Sequence, residues 1–150
     1  MQAVIFVGLQ AAGKSTFYKE RFFTTHLRIN LDMLKTRHRE KRFLQVCIET
    51  GARFVVDNTN PTLAERAIYL QAAKDAGFQV VGYYFQSKVE DCKQRNNQRP
   101  PDEQVPLKGI LGTAGRMELP KKEEGFDQLF YVRIGENNGF EIEEWKNEIR

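Results

Sequence analysis

Long apolar runs are missing from this sequence, and its first residues lack the pattern of a secretory signal. No stretch of 18 consecutive apolar residues occurs, so no segment has the composition of a membrane-spanning helix. The chain starts with the apolar pattern of a strand, whereas a secretory signal starts with charge followed by a longer apolar stretch. We therefore expect a soluble intracellular protein with no membrane partner, cytoplasmic if its source is bacterial or viral.

Cysteine is also scarce, and the sequence contains no repeats or low-complexity segments. Cys47 and Cys92 are far apart and follow neither a metal-binding nor a redox spacing. Cys47 lies in an apolar helical pattern at 43–48, where a small core residue is the simplest interpretation. With 150 residues the chain has the size of one ordinary domain, so we expect a single domain over 1–150.

Neither sign of charge is in large excess, since the formal net charge is only +3. The charges are unevenly distributed along the chain. Residues 14–53 contain ten Lys/Arg and four Asp/Glu, whereas the acidic tail at 135–150 contains two Lys/Arg and five Asp/Glu. The basic half would suit an anionic ligand larger than a nucleotide, although a solvated helix face gives the same pattern.

The most informative stretch is 8–15, which fits the phosphate-binding pattern G-x-x-x-x-G-K-[ST]. It follows an apolar strand pattern at 3–7 and precedes a helical pattern at 15–23, which is the context that this motif requires. A chance glycine turn between a strand and a helix is the alternative interpretation. The context favours nucleotide binding.

Each residue type that this motif specifies has a chemical reason. Gly8 and Gly13 permit turns that direct successive N–H groups and a helix N-terminus at phosphate oxygens. Lys14 supplies a positive charge for the β- and γ-phosphates of ATP, and the Ser15 hydroxyl is placed to bind Mg²⁺.

Strand and helix patterns alternate along the rest of the chain. The predicted strands are 3–7, 26–30, 53–57, 79–86 and 126–134, with helical patterns between them. This alternation predicts an α/β fold, a kinase-type P-loop NTPase with a mostly parallel sheet of about five strands and helices on both faces. Asn60 and Pro61 are predicted to cap and open the helix that ends at Gly77.

Two acidic residues follow predicted strands, at the sheet edge where ligands bind in such folds. Asp32 is a candidate general base for an attacking hydroxyl, or else a cap for a helix that starts near Met33. Asp57 is a candidate acid near Mg²⁺, or else part of a turn at 57–60.

The expected acceptor is a bound hydroxyl group. Asn58 follows Asp57, so the Asp-Glu pair of many hydrolytic ATPases is missing, as is an Asn-Lys-x-Asp guanine motif. Kinases of small metabolites usually insert an acceptor domain between the second and third strands, but here only about twenty residues, one helix and its leads, fit there. This favours an open site that receives the end of a polymer or a substrate held by few contacts.

Basic residues mark two further candidate segments. Arg95 and Arg99 share a helix face before a Pro-Pro loop, so 95–106 is a candidate lid whose arginines neutralise the transferring phosphoryl group. The cluster after Asp32 would suit acceptor phosphates and consists of Lys35, Arg37, His38, Arg39, Lys41 and Arg42. Exposed helix charges are the alternative interpretation of both segments.

Four motifs together resemble a known family. They are Gly8-x-x-x-x-Gly13-Lys14-Ser15-Thr16, Ile29-Asn30-x-Asp32, Val55-Val56-Asp57-Asn58-Thr59-Asn60-Pro61 and Arg95-Asn96-x-x-Arg99. They resemble the 5′-kinase domain of polynucleotide kinases, and the segments at 105–106 and 124–127 extend the resemblance to the kinase half of eukaryotic polynucleotide kinase 3′-phosphatases. The resemblance spans 3–134, and its Asp-Asn-Thr-Asn-Pro run is far more specific than the phosphate loop.

The resemblance implies an ATP-dependent, Mg²⁺-requiring kinase that acts on 5′-hydroxyl ends of DNA or RNA, as in nucleic acid repair. It implies that Asp32 is the base and Arg99 the lid arginine, with Leu31 and Lys35 departing from the family pattern. No phosphatase motif D-x-D-x-[TV] occurs, so the chain would be a kinase module alone. The alternatives are a small-molecule kinase for a sugar, nucleoside or antibiotic, and a non-catalytic nucleotide-sensing module.

The motifs and the resemblance together predict the site residues. Asp32, Lys14 and Arg99 are the expected catalytic residues. The expected nucleotide contacts are Gly8, Gly13, Lys14, Ser15, Thr16, Arg95 and Arg99, the acceptor contacts are Lys35, Arg37, Asp57 and Asn60, and the Mg²⁺ ligands are Ser15 and Asp57.

Overall fold

A computed structural model describes residues 1–146, in which strands and helices alternate as predicted. The strands are β1 (Gln2–Val7), β2 (Leu27–Ile29), β3 (Phe54–Val56), β4 (Gln79–Phe85), β5 (Gln128–Ile134) and β6 (Phe140–Glu144). The helices are α1 (Lys14–Arg21), α2 (Leu31–Leu34), α3 (Arg37–Thr50), α4 (Leu63–Asp75), α5 (Val89–Asn97) and α6 (Leu107–Arg116), with short 3₁₀ turns at Pro101–Glu103 and Lys122–Glu124.

The strands of the described residues form one sheet in the order β2-β3-β1-β4-β5-β6. The first five are parallel, and β6 alone runs antiparallel, beside β5. The prediction of a mostly parallel P-loop sheet is thereby confirmed, and all five parallel strands end at the edge where β1 meets the phosphate loop.

The strand β6 lies in the segment that the charge count identified only as an acidic tail. Phe140 and Ile142 are half-buried against the sheet, and the glutamates of this strand are exposed. This alternation is the ordinary pattern of an edge strand with one face on the core. Residues 147–150 of the predicted tail lie outside the described residues.

Helices cover both faces of the sheet because alternate side chains of β1 point to opposite sides. Ala3, Ile5 and Val7 pack with residues of α3 and α4, including the buried Cys47. Val4 and Phe6 pack on the other face with α1, α5 and α6. Within residues 1–146, no helix is long and apolar enough to cross a membrane.

Two predicted caps are corrected by the structure. Thr62, not Asn60, caps α4, because its hydroxyl accepts a hydrogen bond from Glu65 N at 3.2 Å. Asn60 lies before the helix with φ +45°, and its side-chain amide donates to the Phe6 carbonyl at 2.8 Å. Asp32 is not a cap either, because Asn30 caps α2 by accepting from Met33 N at 2.9 Å.

Candidate active site

The phosphate loop connects β1 to α1 at the carboxyl edge of the sheet. Its first residue, Gly8, is packed so closely that a Cβ there would lie 3.0 Å from the Cβ of Phe85. Gly13 adopts φ +100°, a conformation that favours glycine, and directly precedes α1. Gly8 is therefore required by close packing and Gly13 by its backbone conformation, which leads the chain directly into the N-terminus of α1.

Lys14 is buried and folded back over this loop. Its Nζ donates to the carbonyl oxygens of Gly8 at 2.8 Å and Leu9 at 2.6 Å. Burial lowers the pKa of Lys14 from 10.5 to about 8, and the negative charge of Asp57 opposes that shift in part. The ammonium group is therefore held at the loop by neutral acceptors, in a position where anionic phosphate would be a stronger partner.

Ser15 and Asp57 lie together beside the loop, as the sequence predicts for Mg²⁺ ligands. Ser15 Oγ donates to Asp57 Oδ2 at 3.2 Å, and the Asp57 side chain is only 1% exposed. A hydroxyl and a carboxylate are hard oxygen ligands of the kind that Mg²⁺ prefers. These two oxygens already share a cation, the Arg28 guanidinium, so the donor set fits a positively charged occupant.

Sequence reasoning missed Arg28. It is the middle residue of β2, and its Nε donates to Asp57 Oδ2 at 2.9 Å while its Nη2 donates to Ser15 Oγ at 3.0 Å. The available signal was a charged side chain inside a short strand that leads to Asp32 at the ligand-binding edge. Its partners are distant in sequence, so spacing alone did not identify them.

Asp32 lies on α2 and lines the same crevice of about 280 Å³ as Lys14, Ser15, Asp57 and Arg99. Its negative charge acts on Lys14, since it contributes to raising the pKa of that ammonium. The crevice thus brings together the Asp32 carboxylate, the phosphate loop and Arg99, three groups that the sequence analysis assigned to one site.

Two asparagines hold the Asp32 helix against the end of β3. Asn30 Nδ2 donates to the Asp57 carbonyl at 2.6 Å, and Asn58 Oδ1 accepts from Leu31 N at 2.9 Å. These bonds fix the backbone on both sides of the crevice, so they set the separation of Asp32 from Asp57.

Behind Asn58 lies a hydrogen-bonded cluster that sequence reasoning also missed. Glu40, 5% exposed, accepts from Tyr69 Oη at 2.6 Å, Asn58 Nδ2 at 2.8 Å and Arg37 Nη1 at 2.9 Å. Burial, with the hydrogen bond to Glu40, raises the pKa of Tyr69 far above its ordinary value. Arg37, which donates to Glu40, also lines the crevice, whereas the exposed Lys35 is not part of its lining.

A second cavity of about 260 Å³ lies on the outer side of the phosphate loop. Gly13, Thr16, Arg95, Asn138 and Phe140 contribute to its lining. Arg95 Nη1 donates to the Ala11 carbonyl at 2.8 Å, which ties α5 to the loop. Arg99 and Ala11 line both cavities, so the two cavities are adjacent. Phe140 on β6 was missed because its segment was interpreted by charge alone.

Comparison with known proteins supports the same fold. The AAA domain model AAA_33 matches residues 26–120. A bifunctional polynucleotide phosphatase/kinase of Schizosaccharomyces pombe is 28% identical over 132 residues, which cover 85% of this chain and 32% of that protein. The chain thus spans about a third of that relative's length.

Solved structures share the architecture at lower sequence identity. Kti12 of Chaetomium thermophilum, in complex with ADP-AlF3, has a TM-score of 0.66 and 16% identity, covering 91% of this chain and 92% of that one. A gluconokinase from Sinorhizobium meliloti has a TM-score of 0.63 and 14% identity, covering 90% and 83%. These likenesses concern the P-loop kinase-type fold.

Proposed function

Since this chain belongs to the AAA domain family AAA_33, we propose that it is an ATP-dependent kinase that transfers the γ-phosphoryl group to the 5′-hydroxyl end of DNA or RNA. The observation that carries the proposal is one crevice lined by Asp32, the phosphate loop and Arg99. A carboxylate beside a phosphate loop supplies what transfer to a hydroxyl needs and a nucleotide sensor does not.

In the proposed reaction, Lys14 and Arg99 bind the phosphates and stabilise the charge that develops on the transferring group. Asp32 accepts the proton of the attacking hydroxyl and orients that oxygen towards the phosphorus. Ser15 and Asp57 are the residues that would hold Mg²⁺, which supplies further charge neutralisation when bound. Thr16, Arg95, Asn138 and Phe140 surround the second cavity, where the nucleoside of ATP would lie.

Two observations support a polymer end as the acceptor. Arg37 lines the crevice together with Asp32, and it begins α3, whose first turns carry further exposed basic residues. Such a cluster suits the phosphates of an acceptor strand. The relative from S. pombe is a polynucleotide phosphatase/kinase, which favours the same acceptor class.

A small-molecule acceptor is the second candidate. The crevice of about 280 Å³ has the volume of a site for a sugar-sized ligand, and the gluconokinase shares the fold. The two candidates differ in whether phosphates beyond the acceptor hydroxyl contribute to binding.

Transfer of labelled γ-phosphate from ATP to 5′-hydroxyl oligonucleotides, with DNA and RNA in parallel, tests the proposal. We expect labelling of at least one polymer and its loss by about 10²–10⁴-fold in Asp32→Asn, because that variant cannot accept the proton. ATP binding by Asp32→Asn, measured by calorimetry, should stay close to that of the unmodified protein.

Three results would contradict parts of the proposal. Labelling that persists in Asp32→Asn would exclude Asp32 as the base. ATP binding without labelling of either polymer would exclude the polynucleotide acceptor and lead to a screen of hydroxylated metabolites. If no metabolite is labelled either, the chain is a nucleotide sensor.

A further inference from the structure

Arg28 occupies an unusual place for a strand residue, because its guanidinium bridges the two expected Mg²⁺ ligands. The contacts are Nε to Asp57 Oδ2 at 2.9 Å and Nη2 to Ser15 Oγ at 3.0 Å. The guanidinium carbon also lies 5.8 Å from the centroid of the Tyr18 ring, within the range of a cation–π contact. The Arg28 side chain is 25% exposed, so it is partly open to solvent on one side.

Asp57 needs a counter-ion in this position. Its side chain is 1% exposed, and a buried carboxylate without a paired positive charge is strongly destabilising. The other cation nearby, Lys14, donates to two loop carbonyls, whereas Arg28 bonds directly to the carboxylate. Arg28 therefore neutralises Asp57 when no other cation does.

A divalent cation bound by Ser15 Oγ and Asp57 would bind the same hydroxyl and the same carboxylate group that Arg28 now contacts. Two cations cannot share these groups without strong repulsion at such short distances. Because the Arg28 side chain is partly exposed, its guanidinium can move into solvent without disrupting the packing of the core.

From this geometry we propose that Arg28 is a resident counter-ion that competes with Mg²⁺ for Ser15 and Asp57 and leaves them when metal-bound nucleotide arrives. Arg28 is thus a positioning residue that keeps the metal ligands assembled in the empty protein. Because it competes with the metal, it also raises the Mg²⁺ concentration that is needed to strengthen nucleotide binding. The proposal rests on the nucleotide-binding part of the proposed function and not on the identity of the acceptor.

The main test measures ADP binding to the full chain over a range of free Mg²⁺ concentrations, without any acceptor. Arg28→Met removes the charge and keeps a side chain of similar length. In this variant, the free Mg²⁺ concentration that gives half of the maximal increase in ADP affinity should be lower by about threefold or more. Arg28→Lys keeps a positive charge but cannot contact both groups in the same way. Its Mg²⁺ requirement should therefore lie between those of Arg28→Met and the unmodified protein.

Thermal stability in EDTA gives a readout independent of binding and activity. Arg28→Met should melt at a lower temperature than the unmodified protein in EDTA, because Asp57 loses its counter-ion. Saturating Mg²⁺ and ADP should remove most of that difference. Arg133→Met is the matched control, because it removes a surface ion pair with Glu141, and it should leave the Mg²⁺ dependence unchanged.

If Arg28→Met fails to fold, the unmodified protein still tests the proposal. The Arg28 Nε–H signal in a ¹⁵N NMR spectrum, assigned with Arg28→Lys, should be protected from solvent exchange in EDTA and lose that protection on addition of Mg²⁺ and ADP. Retained protection would overturn the proposal.

Other results also decide the matter. An unchanged or higher Mg²⁺ requirement in Arg28→Met, with normal ADP binding, would overturn the counter-ion role and leave the proposed kinase function intact. An unmodified protein that binds no nucleotide at any Mg²⁺ concentration would overturn both.

Discussion

At the residue scale, Lys14 shows how burial prepares a side chain for an anion. Its pKa of about 8 reflects the desolvation of the ammonium group, which is bonded only to neutral carbonyls. In the unfolded chain the pKa is near 10.5, so the unfolded state binds more protons between about pH 8 and 10.5. The destabilisation caused by burying Lys14 is therefore complete below pH 8 and is relieved as the pH rises through that window.

Nucleotide binding should reverse this shift, because phosphate favours the charged form of Lys14. We expect the affinity for ADP to fall above pH 8, by up to about tenfold per pH unit, with net proton uptake on binding. Calorimetry in buffers of different ionisation enthalpy measures both quantities. Lys14→Met should bind ADP weakly at every pH and lose the associated proton uptake. An affinity that is constant from pH 7 to 9.5 in the unmodified protein would contradict this account.

Glu40 is a second residue whose role follows from its partners. Because it accepts from Asn58, Tyr69 and Arg37, it orients Asn58, which in turn holds the first residue of the Asp32 helix. Glu40→Gln weakens these bonds by removing the charge, so we expect a several-fold loss of phosphoryl transfer at nearly unchanged ADP affinity. Steady-state kinetics measures the loss of transfer, and calorimetry measures the ADP affinity. Equal losses in transfer and ADP affinity would show that Glu40 supports the fold generally.

At the scale of elements, one buried ion pair joins α4 to the 3₁₀ turn before β5. Arg66 is fully buried and donates to both carboxylate oxygens of Glu124, at 2.9 and 3.1 Å. Its Nη1 also donates to the Asn60 carbonyl at 3.0 Å, next to the crevice. Arg66 therefore connects the loop after β3 with a segment more than fifty residues away.

Removing one partner of this pair leaves an uncompensated buried charge. We expect Glu124→Gln and Arg66→Met each to lower the free energy of unfolding by about 3–5 kcal/mol, and the double variant to lose less than the sum. Urea unfolding measures all three. Losses below about 1 kcal/mol, the range of an exposed ion pair, would contradict this account of a buried pair.

The packing of β4 against the turn before β5 gives a second element-scale prediction. A Cβ at Gly82 would lie 2.6 Å from Phe126 Cε1 and 2.8 Å from Leu129 Cδ1. We expect Gly82→Ala to destabilise the protein by about 1–3 kcal/mol through overpacking. Gly112→Ala is the matched control, because a Cβ there meets nothing within 4 Å in α6, and it should stabilise by up to about 1 kcal/mol. Equal effects at both positions, by thermal or urea unfolding, would contradict the packing argument.

Local patterns were sufficient to predict most strands and helices, because the hydrophobic periodicity of each element depends only on residues close in sequence. The strand β6 was missed because its alternation of Phe140 and Ile142 with glutamates was interpreted as bulk charge. The cap at Asn60 was wrong because its amide bonds to Phe6, a partner that no local pattern reveals. Arg28 and Glu40 were missed for the same reason, since their contacts join residues that only the sheet brings together.

At the scale of the whole molecule, the proposed acceptor makes salt an informative variable. A polymer that contacts basic residues of α3 releases counterions, so its affinity should fall steeply with salt. For a single-stranded oligonucleotide, Arg39→Ala and Lys41→Ala should each reduce the slope of log affinity against log salt by about 0.7 if they contact one phosphate. Lys122→Ala, in the 3₁₀ turn before β5, is the control. A slope near zero in the unmodified protein would favour a small, uncharged acceptor.

The two edges of the sheet also bear on how the molecule behaves at high concentration. At one edge β2 is only three residues long, and at the other β6 presents exposed glutamates at 141, 143 and 144. Short or charged edge strands are poor templates for pairing with the strand of another molecule. The described part of the chain therefore carries its own protection against edge-to-edge aggregation, and the acidic residues of β6 serve colloidal stability while its apolar residues complete the core.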